Sequence, residues 1–167
     1  ALLSAAVAQL SEHYRIPCVI NCCLSESKVY DVQVGYEKAT SAVLSALAGA
    51  DLLMGAGMLQ YCEVSCYKAL VIDNEIIGYA LRIVNGINVA DETLALDVIE
   101  QVGPGGSFLT REHTRDHFKE EMFLPRLTDR HRRAVWERKG GKTIEQRAKE
   151  RALEILRVHH PMALEKG

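Results

Sequence analysis

Two short segments of this 167-residue chain, residues 21–33 and 54–63, concentrate side chains that could bind a small polar substrate. In the second segment, Gly55 and Gly57 permit close backbone approach to a ligand. The first segment mixes charged and amide side chains, which suit the orientation of a polar or cationic substrate. The candidate substrate-binding residues in these segments are Asn21, Glu26, Lys28, Asp31, Gln33, Gln60 and Tyr61, and no residue is assigned a catalytic role. The alternative interpretation is a solvated loop followed by a strand-to-helix turn, with no ligand at either segment.

Two further patterns resemble metal sites but lack the ligands that a metal needs. Cys62 and Cys66 are four residues apart, as are His113, His117 and Glu121, so each set would share one face of a helix. A structural zinc site needs about four ligands, and the H-E-x-x-H motif is absent. The sequence therefore predicts no metal site. It favours cysteines in the core and histidines that make structural hydrogen bonds.

The elements that must position the candidate residues alternate between helix and strand. Residues 18–23 and 51–54 are short apolar runs typical of buried parallel strands. Between them, residues 31–48 have helical periodicity, with Asp31 as a plausible N-cap and Gly49 as the terminating residue. In parallel barrels the reactive groups stand where the strands end, so both candidate segments are expected at one edge of the sheet.

This alternation is typical of a parallel sheet or barrel. We predict an α/β fold, the C-terminal portion of a TIM-type (β/α) barrel with two short parallel strands plus a long α-helical extension. We expect residues 1–61 to form the last βα units of an incomplete barrel and residues 62–167 to form a helical portion that packs on it. A complete barrel takes about 250 residues, so the missing strands are expected upstream of Ala1. The opening helix, which has no N-cap before its apolar stripe, also favours a chain that begins within a larger architecture.

No further strand is expected after Cys62. Asp91 is a plausible N-cap for a helix that ends at Val102. Asp73 and Asn74 mark either a break between two helices or a polar spot on one long helix. The predicted helices cover residues 62–72, 75–84, 91–102, 110–123, 129–139 and 143–159.

Composition excludes several classes of function. The chain has 20 Lys plus Arg against 22 Asp plus Glu, a formal net charge of −2, so nothing favours nucleic acid. No apolar run reaches the roughly 20 residues that span a bilayer, and the start lacks the basic region of a signal peptide. The five cysteines form an odd number, which indicates reduced thiols and a cytoplasmic location.

Several strings in fixed order resemble, taken together, the C-terminal part of the trimethylamine:corrinoid methyltransferase family. They extend over almost the whole chain, and as a set they are more specific than any one of them. That family includes relatives without pyrrolysine, such as glycine betaine methyltransferases. The strings are SESKVYDVQVGYEK (25–38), LAGA (47–50), LVIDNE (70–75), VGPGGSFL (102–109), HT (113–114), HF (117–118) and PRLTDR (125–130).

The resemblance implies a barrel enzyme that moves a methyl group from a methylated amine to the cobalt of a corrinoid protein. The donor would be a quaternary amine such as glycine betaine, which is favoured, or trimethylamine. The resemblance implies that carboxylates and aromatic faces hold this cation, and it adds Tyr30 to Glu26, Asp31 and Tyr61 as the candidates for that role. The corrinoid (cobalamin) would be carried by that partner, and no cofactor would be bound directly. The chain is expected to be inactive alone, and homo-oligomer formation is left open.

Two other interpretations remain. The chain could be a noncatalytic interaction or assembly module derived from this family. It could also belong to another parallel-barrel enzyme such as an aldolase, which would place a buried lysine at a strand end. Lys28 lies beyond the strand in a polar loop, which disfavours the aldolase.

Overall fold

A computed structural model describes residues 1–163, so residues 164–167 of the predicted helical portion lie outside it. Within the described residues the fold is mixed α/β, with eight α-helices, a two-stranded parallel sheet and a small antiparallel hairpin. In chain order the elements are α1 Leu2–Tyr14, β1 Val19–Asn21, α2 Val32–Leu47, β2 Leu52–Met54, β3 Met58–Leu59, β4 Val64–Ser65, α3 Tyr67–Val84, α4 Asp91–Leu94, α5 Leu96–Val102, α6 Glu112–Glu121, α7 Arg133–Arg138 and α8 Ile144–Val158.

The two predicted parallel strands are confirmed as β1 and β2. They pair in parallel with Ile20 opposite Leu53, and the Asp51 carboxylate accepts a 2.7 Å hydrogen bond from the N–H of Cys18 where the pair begins. Ile20 is buried in an apolar cluster with Ala8 of α1 and with residues of α2 and α3. The opposite face of the sheet is exposed and mostly apolar, and it consists of Val19, Asn21, Leu52 and Met54.

Local capping explains where two of the helices begin. Asp31 Oδ1 accepts hydrogen bonds from the N–H groups of Gln33 and Val34 and so caps α2, as the sequence predicts. The Thr143 hydroxyl caps α8 by accepting a hydrogen bond from the Gln146 N–H, and the Gln146 side chain accepts one from the Thr143 N–H. Each cap satisfies backbone donors that a helix start leaves free.

The prediction that no strand follows Cys62 is wrong. β3 and β4 form a short antiparallel hairpin in which Leu59 pairs with Val64. Its strands have only two residues each, too few for an alternating pattern to show in the sequence. The predicted helix from Cys62 begins instead at Tyr67, and it continues without a break through Asp73 to Val84.

The segment between α3 and α7 also differs from prediction. Asp91 is the first residue of α4 rather than its cap, and the chain turns at Ala95, whose φ of 50° is left-handed. One predicted helix is therefore two, α4 and α5. Among the described residues, no helix combines the length and the apolar character that crossing a membrane requires.

α3 is the central helix, because it packs against α2 on one side and α8 on the other. Its Glu75 carboxylate accepts hydrogen bonds from the N–H groups of Arg126, Leu127 and Thr128, at 2.6–2.8 Å, and from the Thr128 hydroxyl. Burial opposes ionisation of Glu75, but these four donors outweigh it and lower the carboxyl pKa below its ordinary value. One carboxylate thus ties the loop before α7 to the central helix.

Candidate functional site

A cavity of about 300 Å³ lies at the carboxyl end of β1. Ligands of parallel α/β sheets bind in this position, outside the carboxyl ends of the strands. Its wall combines the end of β1, the loop after it, the first half of α2 and the turn after β3. The polar side chains that line it are Ser4, Asn21, Ser25, Glu26, Glu37, Ser41 and Tyr61.

Glu37, which projects from the second turn of α2, is the most firmly held carboxylate in this wall. Its Oε2 accepts hydrogen bonds from the Ser25 hydroxyl at 2.6 Å and the Glu26 N–H at 3.1 Å, and its Oε1 accepts one from Gln33 Nε2 at 2.9 Å. The Ser25 and Gln33 bonds lower the pKa of the carboxyl, so Glu37 is ionised at neutral pH. Within residues 1–163 no Lys, Arg or His nitrogen lies within 4 Å of it.

Tyr61 reaches the cavity from a strained turn between β3 and β4. Gln60, Tyr61 and Cys62 have φ values of 47°, 52° and 77°, three successive left-handed residues without a glycine. Such conformations cost of order 1–3 kcal/mol each and cluster at functional sites. The turn is held by hydrogen bonds from the N–H groups of Gln60 and Tyr61 to the carbonyls of Ser27 and Ser25. The strain places an exposed phenol ring beside the loop that surrounds Glu37.

Half of the predicted substrate-binding residues meet at this cavity or support it. Asn21, Glu26 and Tyr61 line it, and Gln33 holds the Glu37 carboxylate. The sequence thus indicated the strand-end region but not Glu37 itself, although Glu37 lies on the same helical face as Gln33, one turn further along α2.

The other predicted residues have different partners. Lys28 is exposed, and its ammonium donates to a backbone carbonyl of its own loop at 2.9 Å. Gln60 bonds to the exposed Glu63 carboxylate, and Asp31 caps α2. These three side chains do not line the cavity.

Tyr30 belongs instead to a buried network centred on Asp73 of α3. Asp73 accepts hydrogen bonds from Lys38 Nζ at 2.5 Å, from the Tyr30 hydroxyl at 2.7 Å and from the Gly57 N–H at 2.7 Å. Lys38 and Asp73 are both fully buried. Burial and the bond to Asp73 raise the pKa of Tyr30 far above its ordinary value. Gly57 has a φ of 83°, so a residue without Cβ suits the position from which it reaches Asp73. The network joins both strand-end loops to α3.

Neither metal-like pattern keeps all its members together in the structure. Among residues 1–163, no three His, Cys, Asp or Glu side chains cluster as a metal site. Cys62 lies in the turn and Cys66 precedes α3, so they do not share a helical face. Cys62 is also exposed, which corrects its prediction as a core residue.

The histidines of α6 make structural contacts, as predicted. His113 bonds to the Glu92 carbonyl at 2.8 Å, and His117 lies 3.5 Å from the Glu92 carboxylate. The third member of the pattern, Glu121, pairs with Arg82 of α3 instead.

A larger groove, of about 980 Å³, lies between α3 and α8. Its charged wall includes Arg147, Glu150, Arg151 and Glu154, which alternate in sign along α8. This pattern is typical of a solvated helix face, and the groove is away from the strand ends. We therefore place the candidate site at the smaller cavity.

Comparison with known proteins decides the family. The family model described as "Trimethylamine methyltransferase (MTTB)" matches residues 1–167. The chain belongs to the trimethylamine methyltransferase family. This membership confirms the resemblance drawn from the strings in the sequence.

Relatives within the trimethylamine methyltransferase family carry two substrate names. The chain is 38% identical to trimethylamine methyltransferase MttB of Desulfitobacterium hafniense (strain DSM 10664 / DCB-2), over 98% of this chain and 33% of the relative. It is also 38% identical to a glycine betaine methyltransferase of D. hafniense (strain Y51), over 99% and 34%. For trimethylamine methyltransferase MttB of Methanosarcina barkeri the identity is 39%, over 95% and 32%. The chain spans about a third of the length of these relatives.

The structure also shows what the strings of the trimethylamine methyltransferase resemblance do. Lys38 ends the first string and pairs with Asp73 of LVIDNE. Glu75, in the same string, holds the backbone of PRLTDR. Three strings far apart in sequence are therefore joined through α3.

Proposed function

We propose that this chain forms the C-terminal part of an enzyme that moves a methyl group from a methylated amine to the cobalt of a corrinoid held by a partner protein. The observation that carries the proposal is the match to the trimethylamine methyltransferase family over residues 1–167. Relatives named for trimethylamine and for glycine betaine support a methylated amine as the donor.

We propose further that α1, β1, α2 and β2 are the last βα units of a TIM-type barrel, with α3 to α8 as a helical portion packed on it. The parallel pairing of β1 and β2 across the α2 connection supports this. So does the exposed apolar face of the two strands, because alternate residues of barrel strands point into a packed interior. In such a barrel the 300 Å³ cavity would open at the catalytic end.

The cavity suits an ammonium substrate. Glu37 offers a fixed negative charge that its three neutral donors hold in place, and Glu26 lies on the same wall. The exposed ring of Tyr61 can add a cation–π contact. These side chains would orient the cation so that one methyl group faces the incoming acceptor.

The chemistry favours a quaternary amine over a tertiary one. Loss of a methyl group from a quaternary ammonium releases a neutral amine and requires no proton on the leaving nitrogen. The residues that line the cavity then need only bind and orient the cation, which the ionised Glu37 can do. The corrinoid of the partner protein would supply the cobalt that accepts the methyl group.

The test uses the full-length protein that carries residues 1–167, with a cob(I)alamin source and a panel that includes glycine betaine and trimethylamine. Formation of methylcobalamin, followed by its visible absorbance, is the expected result. We expect a quaternary amine to give the higher kcat/KM. No methylcobalamin with any methylated amine would overturn the proposal and favour a noncatalytic assembly role.

A further inference from the structure

Cys22 and Cys23, directly after β1, place two thiols side by side. The N–H groups of both residues donate to the same acceptor, the Met54 carbonyl, at 3.1 and 3.2 Å. Two consecutive residues thus face one residue of the neighbouring strand, as in a β-bulge. Successive side chains of a regular strand point to opposite faces. Here the two Sγ atoms lie only 4.0 Å apart, so the local backbone geometry builds a dithiol.

The two thiols differ in environment. Both residues are buried, but Cys22, which is 1% exposed, borders the strand-end cavity, whereas Cys23, which is 0% exposed, does not. The hydrogen bond between them lowers the pKa of Cys22, and the same bond together with burial raises the pKa of Cys23. Cys22 is therefore the better nucleophile, and its neighbour can keep a proton until a ligand arrives.

Geometry restricts what this dithiol can bind. A disulfide is disfavoured because adjacent Cα atoms are about 3.8 Å apart, below the roughly 4.4–6.8 Å that disulfides usually span. A structural metal would need further protein ligands, and residues 1–163 provide no cluster of three or more. The dithiol therefore suits a trivalent atom that forms two bonds to sulfur and already carries a substituent on its third bond.

We infer that Cys22 and Cys23 form a binding site for a monosubstituted trivalent arsenical, R–As=O, which the two sulfurs chelate at the wall of the strand-end cavity. Two As–S bonds form, the As=O bond breaks, and the oxygen leaves as water with the two thiol protons. The oxidation state of arsenic is unchanged, so no oxidant or reductant is required. The substituent R would extend into the cavity of about 300 Å³. The site rests on thiol geometry and is independent of the proposed methyl transfer.

The experiment titrates the reduced full chain with phenylarsine oxide and counts adducts by intact mass. We expect one arsenic per chain, released by 2,3-dimercaptopropanol. Cys22→Ser and Cys23→Ser should each weaken binding at least about 100-fold, because one remaining sulfur loses the effective concentration of the second. Cys18→Ser is the matched control, since Cys18 is buried directly before β1, at the other end of the strand, and should not affect binding.

The remaining cysteines provide the competing outcome. The Cys62→Ser/Cys66→Ser double variant should bind phenylarsine oxide as the unchanged chain does. An adduct that is lost in this variant, or that survives in Cys22→Ser, overturns the inference. A second measurement avoids variants altogether: tryptic mapping of the unchanged chain should place arsenic on residues 16–28, and X-ray absorption should show two sulfur neighbours. Arsenic on another peptide, or one sulfur neighbour, also overturns it.

Discussion

Asp73 and Glu37 are both held by three hydrogen-bond donors, yet the two regions around them use a carboxylate in opposite ways. Asp73 is fully buried, and one of its donors is the ammonium of Lys38, so its charge is neutralised inside the protein. Glu37 has only neutral donors and faces a cavity. Its negative charge remains available to a ligand.

The difference shows how position decides the role of an acidic residue. A buried ion pair contributes little net stability but becomes costly when one partner is removed. A carboxylate kept ionised by neutral donors at a cavity costs little to keep and can attract a cation. The Asp73 network should therefore respond to mutation mainly in stability, and the Glu37 region mainly in binding.

The largest effect is expected for Asp73→Ala. The change leaves the ammonium of Lys38 buried without a partner, which should lower the free energy of unfolding by about 3–5 kcal/mol. Denaturant unfolding followed by circular dichroism measures it. Asp97→Ala, at an exposed carboxylate of α5, should stay within about 0.5 kcal/mol. A Lys38→Met/Asp73→Asn double variant removes both charges and keeps an acceptor for Tyr30 and Gly57, so it should recover most of the loss. A double variant as unstable as Asp73→Ala would contradict the ion-pair explanation.

Glu75→Gln should have the next largest effect, because the carboxylate of Glu75 holds three backbone N–H groups and a hydroxyl. Weakening these bonds should cost about 2–3 kcal/mol near neutral pH. The folded-state pKa lies below the ordinary 4.5, so the contribution is complete above about pH 4.5 and is lost as the pH falls through the folded-state pKa. Unfolding curves of both proteins should therefore converge in acid. Glu100→Gln, at an exposed position, is the control, and parallel curves down to low pH would refute the assignment.

Glu37→Gln tests the other side of the comparison. The amide keeps the shape but removes the charge, so KM for a quaternary amine should rise about tenfold in the full-length protein, about 1.4 kcal/mol of binding. The thermal midpoint should fall less than for Glu75→Gln, because Glu37 is only partly buried and its amide can still accept hydrogen bonds. Glu12→Gln, an exposed glutamate outside the cavity, should leave KM unchanged. If Glu37→Gln lowers stability without affecting KM, the contrast with Asp73 disappears.

Asp31→Ala is the smallest expected effect and separates capping from binding. Loss of the N-cap should cost about 1 kcal/mol of stability, and Asp31→Ser should restore most of it. Neither variant should raise KM by as much as Glu37→Gln does. A rise in KM larger than that would return Asp31 to the substrate site, as the sequence first indicated.

Local signals in the sequence were sufficient for much of the fold. The apolar runs at residues 18–23 and 51–54 predicted β1 and β2, and Asp31 marked the start of α2. Each of these depends on residues close in sequence. The β3–β4 hairpin was missed because two-residue strands carry no periodicity, and the break at Ala95 was missed because alanine does not usually mark a left-handed turn.

The site was predictable only as a region. Strand ends directed attention to the loop after β1, and Asn21, Glu26 and Tyr61 do line the cavity. Glu37 and Asp73 were missed as members of these networks because their hydrogen-bond partners, apart from Gln33, are 11 to 43 residues away and meet them only after folding. No feature of the sequence distinguishes a solvated carboxylate on a helix from a carboxylate that accepts several hydrogen bonds.

The turn at residues 60–62 has a consequence for how this chain tolerates change. Glycine or asparagine would adopt the left-handed conformation at these three positions at a lower conformational cost than Gln60, Tyr61 and Cys62 do. Selection for low backbone energy alone would therefore replace Tyr61. A library selected only for thermal stability should become enriched in glycine at this position. If an aromatic ring is retained at this position despite that enrichment, selection acts on what the ring contacts rather than on the fold.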